Sequence, residues 1–134
     1  MRQIINLTPH AIVVEAVRPR AFEDGSDGDC RVTIPPSGVV ARVTEQPVSA
    51  ATYRASIEVD GCQIQAIGAV EYGLVEGLPA ETVGGPLYLV SALVASAVRG
   101  ELRGDLLVPD TGPDSAIRDA RGQIVAVRRL RFVS

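Results

Sequence analysis

The sequence predicts an α+β domain dominated by strands: a mixed, mostly antiparallel sheet or pair of sheets, several hairpins, and one main helix over residues 91–99. Three observations predict it. Ser56 to Ile67 alternates polar and apolar residues on both sides of Asp60-Gly61, the pattern of a tight hairpin with one buried face. The run Leu87-Tyr88-Leu89-Val90 leads into Ser91 and a helical apolar face, and then a strand returns at 105–108. Glycine and proline break the remaining apolar runs into short pieces.

Taken in order, residues 3–7 and 11–17 read as strands. Between them Pro9 removes a ladder donor and biases Thr8 toward extended geometry. Residues 19–30 read as a loop. Its acids at 23, 24, 27 and 29 do not follow the alternating calcium-loop spacing, and no Glu closes it. Residues 31–34 and 39–43 read as strands around Pro35-Pro36-Ser37-Gly38. The hairpin 53–59 and 62–67 follows, then a short strand from 68 leading into a Gly- and Pro-rich loop. Residues 87–90 form a strand. Ser91 is the N-cap of a helix whose apolar face is Leu93, Val94, Ala97 and Val98, and Gly100 is its stop. The roughly fourteen residues between runs 87–90 and 105–108 are enough for a right-handed crossover joining parallel strands, a βαβ unit. The final hairpin sets 116–119 against 123–127, with Leu130, Phe132 and Val133 extending its second strand. No repeat, linker or low-complexity tract divides the chain, so residues 1–134 are read as a single domain.

Composition narrows the function classes. Five aromatics and no Trp leave a core of Val, Ile, Leu and Ala, and argue against stacked-aromatic binding of single-stranded nucleic acid. A net charge of −3 disfavours general nucleic-acid binding. All 13 basic residues are Arg, which excludes lysine chemistry and supplies forked ligands for phosphate or carboxylate. GC-rich coding bias accounts for the same enrichment. Cys30 and Cys62 fit no zinc spacing, and one His among scattered carboxylates makes no metal centre. No signal peptide or membrane-length apolar run is visible, so a cytoplasmic protein with free thiols is expected, with no cofactor.

Three apolar runs end on polar residues. Ile4-Ile5 leads into Asn6, Thr8 and His10; 87–90 leads into Ser91; 106–109 leads into Asp110-Thr111-Gly112. As strands sharing one direction, they bring these ends to one sheet edge, where open α/β sheets bind ligands. The N–H groups and dipole of the helix after Ser91 favour an anion there. Arg118 and Arg121, on the following hairpin, are candidate clamps. The candidate binding residues are therefore Asn6, Thr8, His10, Ser91, Asp110, Thr111, Arg118 and Arg121. Each has a plainer reading: Ser91 as a cap, Asp110 and Thr111 as a turn, Asn6 and Thr8 as partners of neighbouring backbone, His10 as a hydrogen-bonding anchor of its turn.

No catalytic residue is assigned. Ser91, His10 and Asp110 are the residue types of a triad, but Leu89-Val90-Ser91-Ala92-Leu93 lacks a nucleophile elbow. Asp110-Thr111-Gly112 is similar to the Asp-Thr-Gly loop of retroviral-type aspartic proteases. Pro113 follows in place of a small residue, and too little chain remains for a flap and second segment.

Ile4-Ile5-Asn6-Leu7-Thr8-Pro9-His10, Ile34-Pro35-Pro36-Ser37-Gly38, Gly73 to Pro79, Tyr88 to Val94, Pro109 to Pro113 and Ile117 to Val127 together resemble small proteins of phages, prophages and high-GC bacteria. That resemblance carries no settled activity and no site residues. It implies a phage accessory role. Phage anti-defence sponges, which sequester immune nucleotide signals, offer an analogous one. The expectation is a non-catalytic, homo-oligomeric binder of a small anionic ligand, a nucleotide or nucleotide-derived signal. The alternatives are a protein-interaction or small structural module of phage origin and, further off, a hydrolase.

Overall fold

A computed structural model describes residues 2–47, 55–66, 70–99, 101 and 103–133. The expected helix stop at Gly100 and the strand ends at 53–54 and 67–69 lie outside them. The protein is β-rich, with one short helix and mixed and antiparallel sheets.

The first sheet orders its strands β1 (Ile4–Asn6), β8 (Leu87–Leu89), β9 (Leu106–Pro109) and β12 (Leu130–Phe132). The first three are parallel, and β12 runs antiparallel to β9. The three runs that end on polar residues thus share one direction. Their central members are apolar without alternation because both faces are covered: Tyr88, Leu89, Val90, Leu106 and Leu107 are all buried. Helix α1 (Ala92–Ala97) makes the crossover from β8 to β9. Ser91 caps it, its Oγ accepting from Val94 N at 3.3 Å. Val94 and Val98 enter the core, while Leu93 stays exposed. That core is completed by Leu7, Ala41, Tyr88, Val90 and Leu106.

The second sheet orders β10 (Ala116–Arg118), β11 (Ile124–Val127), β2 (Ile12–Arg18) and β3 (Gly28–Ile34). Strand β3 starts inside the stretch read as a loop, because Gly28 to Cys30 continue the ladder to Ala16–Arg18. The tail does not extend β11 as expected. At Arg128 the chain leaves this sheet, and β12 joins the first one. The buried Ser115 holds the transfer point: its Oγ accepts from Arg128 N at 3.0 Å and Arg129 N at 3.2 Å.

Two two-stranded ladders are nested in sequence. β4 (Arg42–Pro47) pairs with β7 (Val70–Glu76), and β5 (Ala55–Val59) pairs with β6 (Cys62–Ala66). The inner hairpin turns through Asp60 and Gly61 with φ of 51° and 80°, the left-handed pair that an Asp-Gly turn favours. Its apolar face is not buried, contrary to expectation: residues 56–59 and 62–65 are exposed throughout. Strand β7 is longer than the short strand predicted. Gly73 fits there because the β4–β7 register shifts at Val43/Glu45, and a Cβ on Gly73 would stand 3.2 Å from Thr44 O.

Among the described residues no helix is long and apolar enough to cross a membrane.

Candidate functional site

The turn after β1 is built by one side chain. Asn6 is buried, and all four of its amide valences are used. Its Nδ2 donates to His10 O at 2.8 Å and Ile34 O at 3.0 Å. Its Oδ1 accepts from Thr8 N at 2.9 Å and Thr8 Oγ1 at 2.6 Å. The Thr8 hydroxyl also lies 2.9 Å from His10 O. This network folds Thr8-Pro9-His10 back across the end of the sheet and leaves Asn6 nothing to offer a ligand. It is the backbone-satisfying role for Asn6 and Thr8. His10 takes part through its carbonyl only; its ring is exposed.

The ends of the parallel strands surround a cavity of about 520 Å3. Its apolar wall includes Pro9, Ile12, Val90, Val108 and Pro109, and its polar rim is Thr8, His10, Ser91, Asp110, Thr111 and Arg131. Positions near 10, 91 and 110 therefore meet at one opening. Arg118 and Arg121 do not reach it. Arg118 Nη1 donates to Gly122 O at 2.6 Å across its own hairpin turn, and Arg121 N donates to Asp119 Oδ1 at that turn. The cation at the opening is instead Arg131. In the β12–β9 ladder it sits opposite Val108, on the same face of the sheet.

Asp110 is also more constrained than expected. One oxygen accepts from Arg129 Nε and the other from Gly112 N at 3.0 Å. The carboxyl is held below the ordinary carboxylate range, first by the Arg129 hydrogen bond and then by the Gly112 N–H; the charges of Arg129 and Arg131 act in the same direction. A Ser91–His10–Asp110 relay is inconsistent with this, since the carboxylate is turned to Arg129. The helix contribution is smaller than predicted, because α1 has 6 residues and little summed dipole.

The Asp110 pairing has a pH signature. A carboxyl whose folded pKa lies below its unfolded one adds stability above the unfolded value and loses it as pH falls through the folded value. Melting temperature should therefore drop more steeply for wild type than for Asp110→Asn between pH 5 and pH 3. Parallel curves would show that this carboxylate does not couple to folding.

The unengaged polar groups at the rim have a common character. The Ser91 hydroxyl accepts from Val94 N, but its proton has no acceptor among the described residues. Thr111 and the His10 ring make no hydrogen bond among them, and Arg131 makes no ion pair among them. The Asp110 carboxylate at the opening is neutralised by Arg129. What remains are groups that can each donate a hydrogen bond. The described residues hold no group of three His, Cys, Asp or Glu placed to ligate a metal ion.

Compared with known protein families, curated proteins and solved structures, the chain matches none of them.

Proposed function

We propose that the chain is a non-catalytic binding protein for a small anionic ligand of nucleotide type, held at the opening between β1, β8 and β9. One observation carries this: an apolar cavity of about 520 Å3 whose rim groups, unengaged among the described residues, can all donate hydrogen bonds and include the Arg131 guanidinium, which has no ion pair among those residues. Ligand pockets span roughly 300–1,000 Å3, with a few polar groups on a mostly apolar wall. Arg131 would bind a phosphate or carboxylate through its fork, with Ser91 and Thr111 hydroxyls adding donors. A base or sugar face would lie against Pro9, Ile12 and Val108. Asp110 and Arg129 act as a brace that fixes Gly112 and cancels the charge that would repel an anion. Sequestration of a nucleotide signal is the use that the likeness to phage proteins suggests, with the protein as a homo-oligomer.

The test is a thermal-shift panel of mono-, di- and cyclic nucleotides and inorganic phosphate. Ligand at 100 times its Kd stabilises by about 2.7 kcal/mol. Loss of a charge-assisted contact costs about 1.5–3 kcal/mol, so Arg131→Ala should weaken binding roughly 10- to 100-fold. Arg121→Ala, away from the opening, should bind as wild type does. No shift from any compound at millimolar concentration would end this reading.

A further inference from the structure

We propose, on the reading of the opening as a nucleotide site, that its ligand carries a diphosphate, whose second phosphate lies between Arg99 and Arg131 in a side cleft. The cleft, of about 150 Å3, adjoins the opening: Ala92, Val108 and Arg131 line both. Its further walls include Ser96, Arg99 and Phe132. Ala92, Ser96 and Arg99 recur at helical spacing, so one flank of α1 and its C-terminal end form one side. The edge strand β12 forms the other. Along that strand Arg131 and Val133 alternate onto one face. Val133 and Val108 pack against the core cluster that contains Val94 and Val98, so Arg131 stands on the helix side of the sheet.

Arg99 and Arg131 therefore border one small cleft from opposite sides. Among the described residues neither makes an ion pair, and no Asp or Glu lines the cleft. Glu101, two residues beyond Arg99, acts on Arg103 instead. Asp110, at the opening, is taken by Arg129. Like charges around one cleft repel, and an anion placed between them turns that repulsion into two attractions.

Size and chemistry select the group. Ligand pockets start at roughly 300 Å3, so a cleft half that size takes one compact group and no nucleoside. A monophosphate in the opening engages Arg131 and leaves Arg99 and Ser96 idle. In a diphosphate the two phosphorus atoms share a bridging oxygen, so the second phosphate necessarily lies beside the first. The planar Arg131 guanidinium, on the wall common to both spaces, can give one N–H to each phosphate. Arg99 then forks onto the terminal phosphate, and the Ser96 hydroxyl adds a donor. A ligand with a single carboxylate would leave one of the guanidiniums uncompensated.

Isothermal titration calorimetry of the full chain, with EDTA present, compares phosphate with pyrophosphate and the adenosine and guanosine monophosphates with their diphosphates. Each diphosphate should bind wild type roughly 10- to 100-fold tighter than its monophosphate, the worth of one added charge-assisted contact. Arg99→Ala should abolish most of that ratio and leave the monophosphate affinities unchanged; circular dichroism checks that it is folded. Arg121→Ala removes the same charge away from the cleft and should keep the wild-type ratio, which separates a built contact from general attraction between charges. Arg131→Ala should weaken both kinds of ligand. Pyrophosphate as tight as the nucleoside diphosphates would uphold the cleft and count against a nucleoside in the opening. Diphosphates no tighter than monophosphates, or a ratio that Arg99→Ala leaves intact, would overturn the cleft while the reading of the opening stands. No binding of any compound at millimolar concentration, by calorimetry and by thermal shift, would overturn both.

Discussion

Asn6→Ala is expected to destabilise the fold by about 3 kcal/mol, because it leaves several buried partners without a hydrogen bond at roughly 1–3 kcal/mol each before relaxation. For a chain of this length that corresponds to a fall of about 10 °C in melting temperature. Thr8 N and Thr8 Oγ1 lose an acceptor, while His10 O and Ile34 O lose a donor. Asn6→Asp separates packing from hydrogen bonding. It keeps the volume and the acceptor oxygen, but sets a second, negative oxygen against the carbonyls of His10 and Ile34. At neutral pH it should cost at least as much as alanine. Because the same network folds His10 toward the opening, both variants should also weaken ligand binding at 15 °C, where the folded state still dominates. Differential scanning fluorimetry and urea titration read the stability. A loss under 1 kcal/mol for Asn6→Ala would mean that the turn is held by its proline and its ladder contacts, with the amide incidental.

Asn6 also shows what a sequence can and cannot reveal. The motif Asn-Leu-Thr-Pro-His is conspicuous, and its residue types allow either ligand contact or local capping. Which one holds depends on Ile34 O, contributed from 28 residues away. The crossover was legible for a simpler reason: an unbroken apolar run, a serine cap and a returning apolar run are all local signals, and β8, α1 and β9 follow them. The hairpin at Asp60-Gly61 was legible as a hairpin but not as to burial. Alternation reports that one face is apolar, not that anything covers it. The departure of β12 carried no local mark. Leu130 and Phe132 continue an alternating pattern after Val127, and the groups that fix Arg128 and Arg129 at the transfer are remote in sequence: the Ser115 hydroxyl and carbonyl, and Asp110, whose N–H donates to Arg129 O. The same unmarked transfer brings Arg131 to the opening. With every base an arginine, charge alone does not distinguish the guanidinium at the opening from the one at a hairpin tip. The strand register decides, and it is set by the pairing of β12 with β9, which no local signal marks.

The second large effect lies outside the site. Arg103→Leu should destabilise the protein by about 3–5 kcal/mol, the cost of leaving one member of a buried ion pair alone. Asp105 is buried at the entry to β9, and Arg103 grips it with both prongs, Nε to Oδ1 at 2.9 Å and Nη2 to Oδ2 at 2.7 Å. The same Nη2 donates to Pro79 O at 2.8 Å, and Gly104 N donates to Glu81 Oε2 at 3.1 Å. The pair therefore ties the loop before β8 to the strand after α1. The Asp105 backbone is committed too: its carbonyl accepts Tyr88 N at 2.8 Å in the ladder between β8 and β9. The carboxylate cannot swing out to water without disturbing that ladder. By contrast, the exposed Arg31–Glu15 pair at 3.3 Å is the kind worth at most about 1 kcal/mol. Arg103→Lys should fall between wild type and leucine, because an ammonium keeps the charge but not the fork. The decisive comparison is the double variant Arg103→Leu/Asp105→Leu. An apolar replacement of both partners removes the stranded charge, so it should recover at least 2 kcal/mol of the single variant's loss in urea unfolding. If the double variant is no more stable than Arg103→Leu, the penalty comes from the lost Pro79 contact and packing, and the carboxylate has found solvent after all.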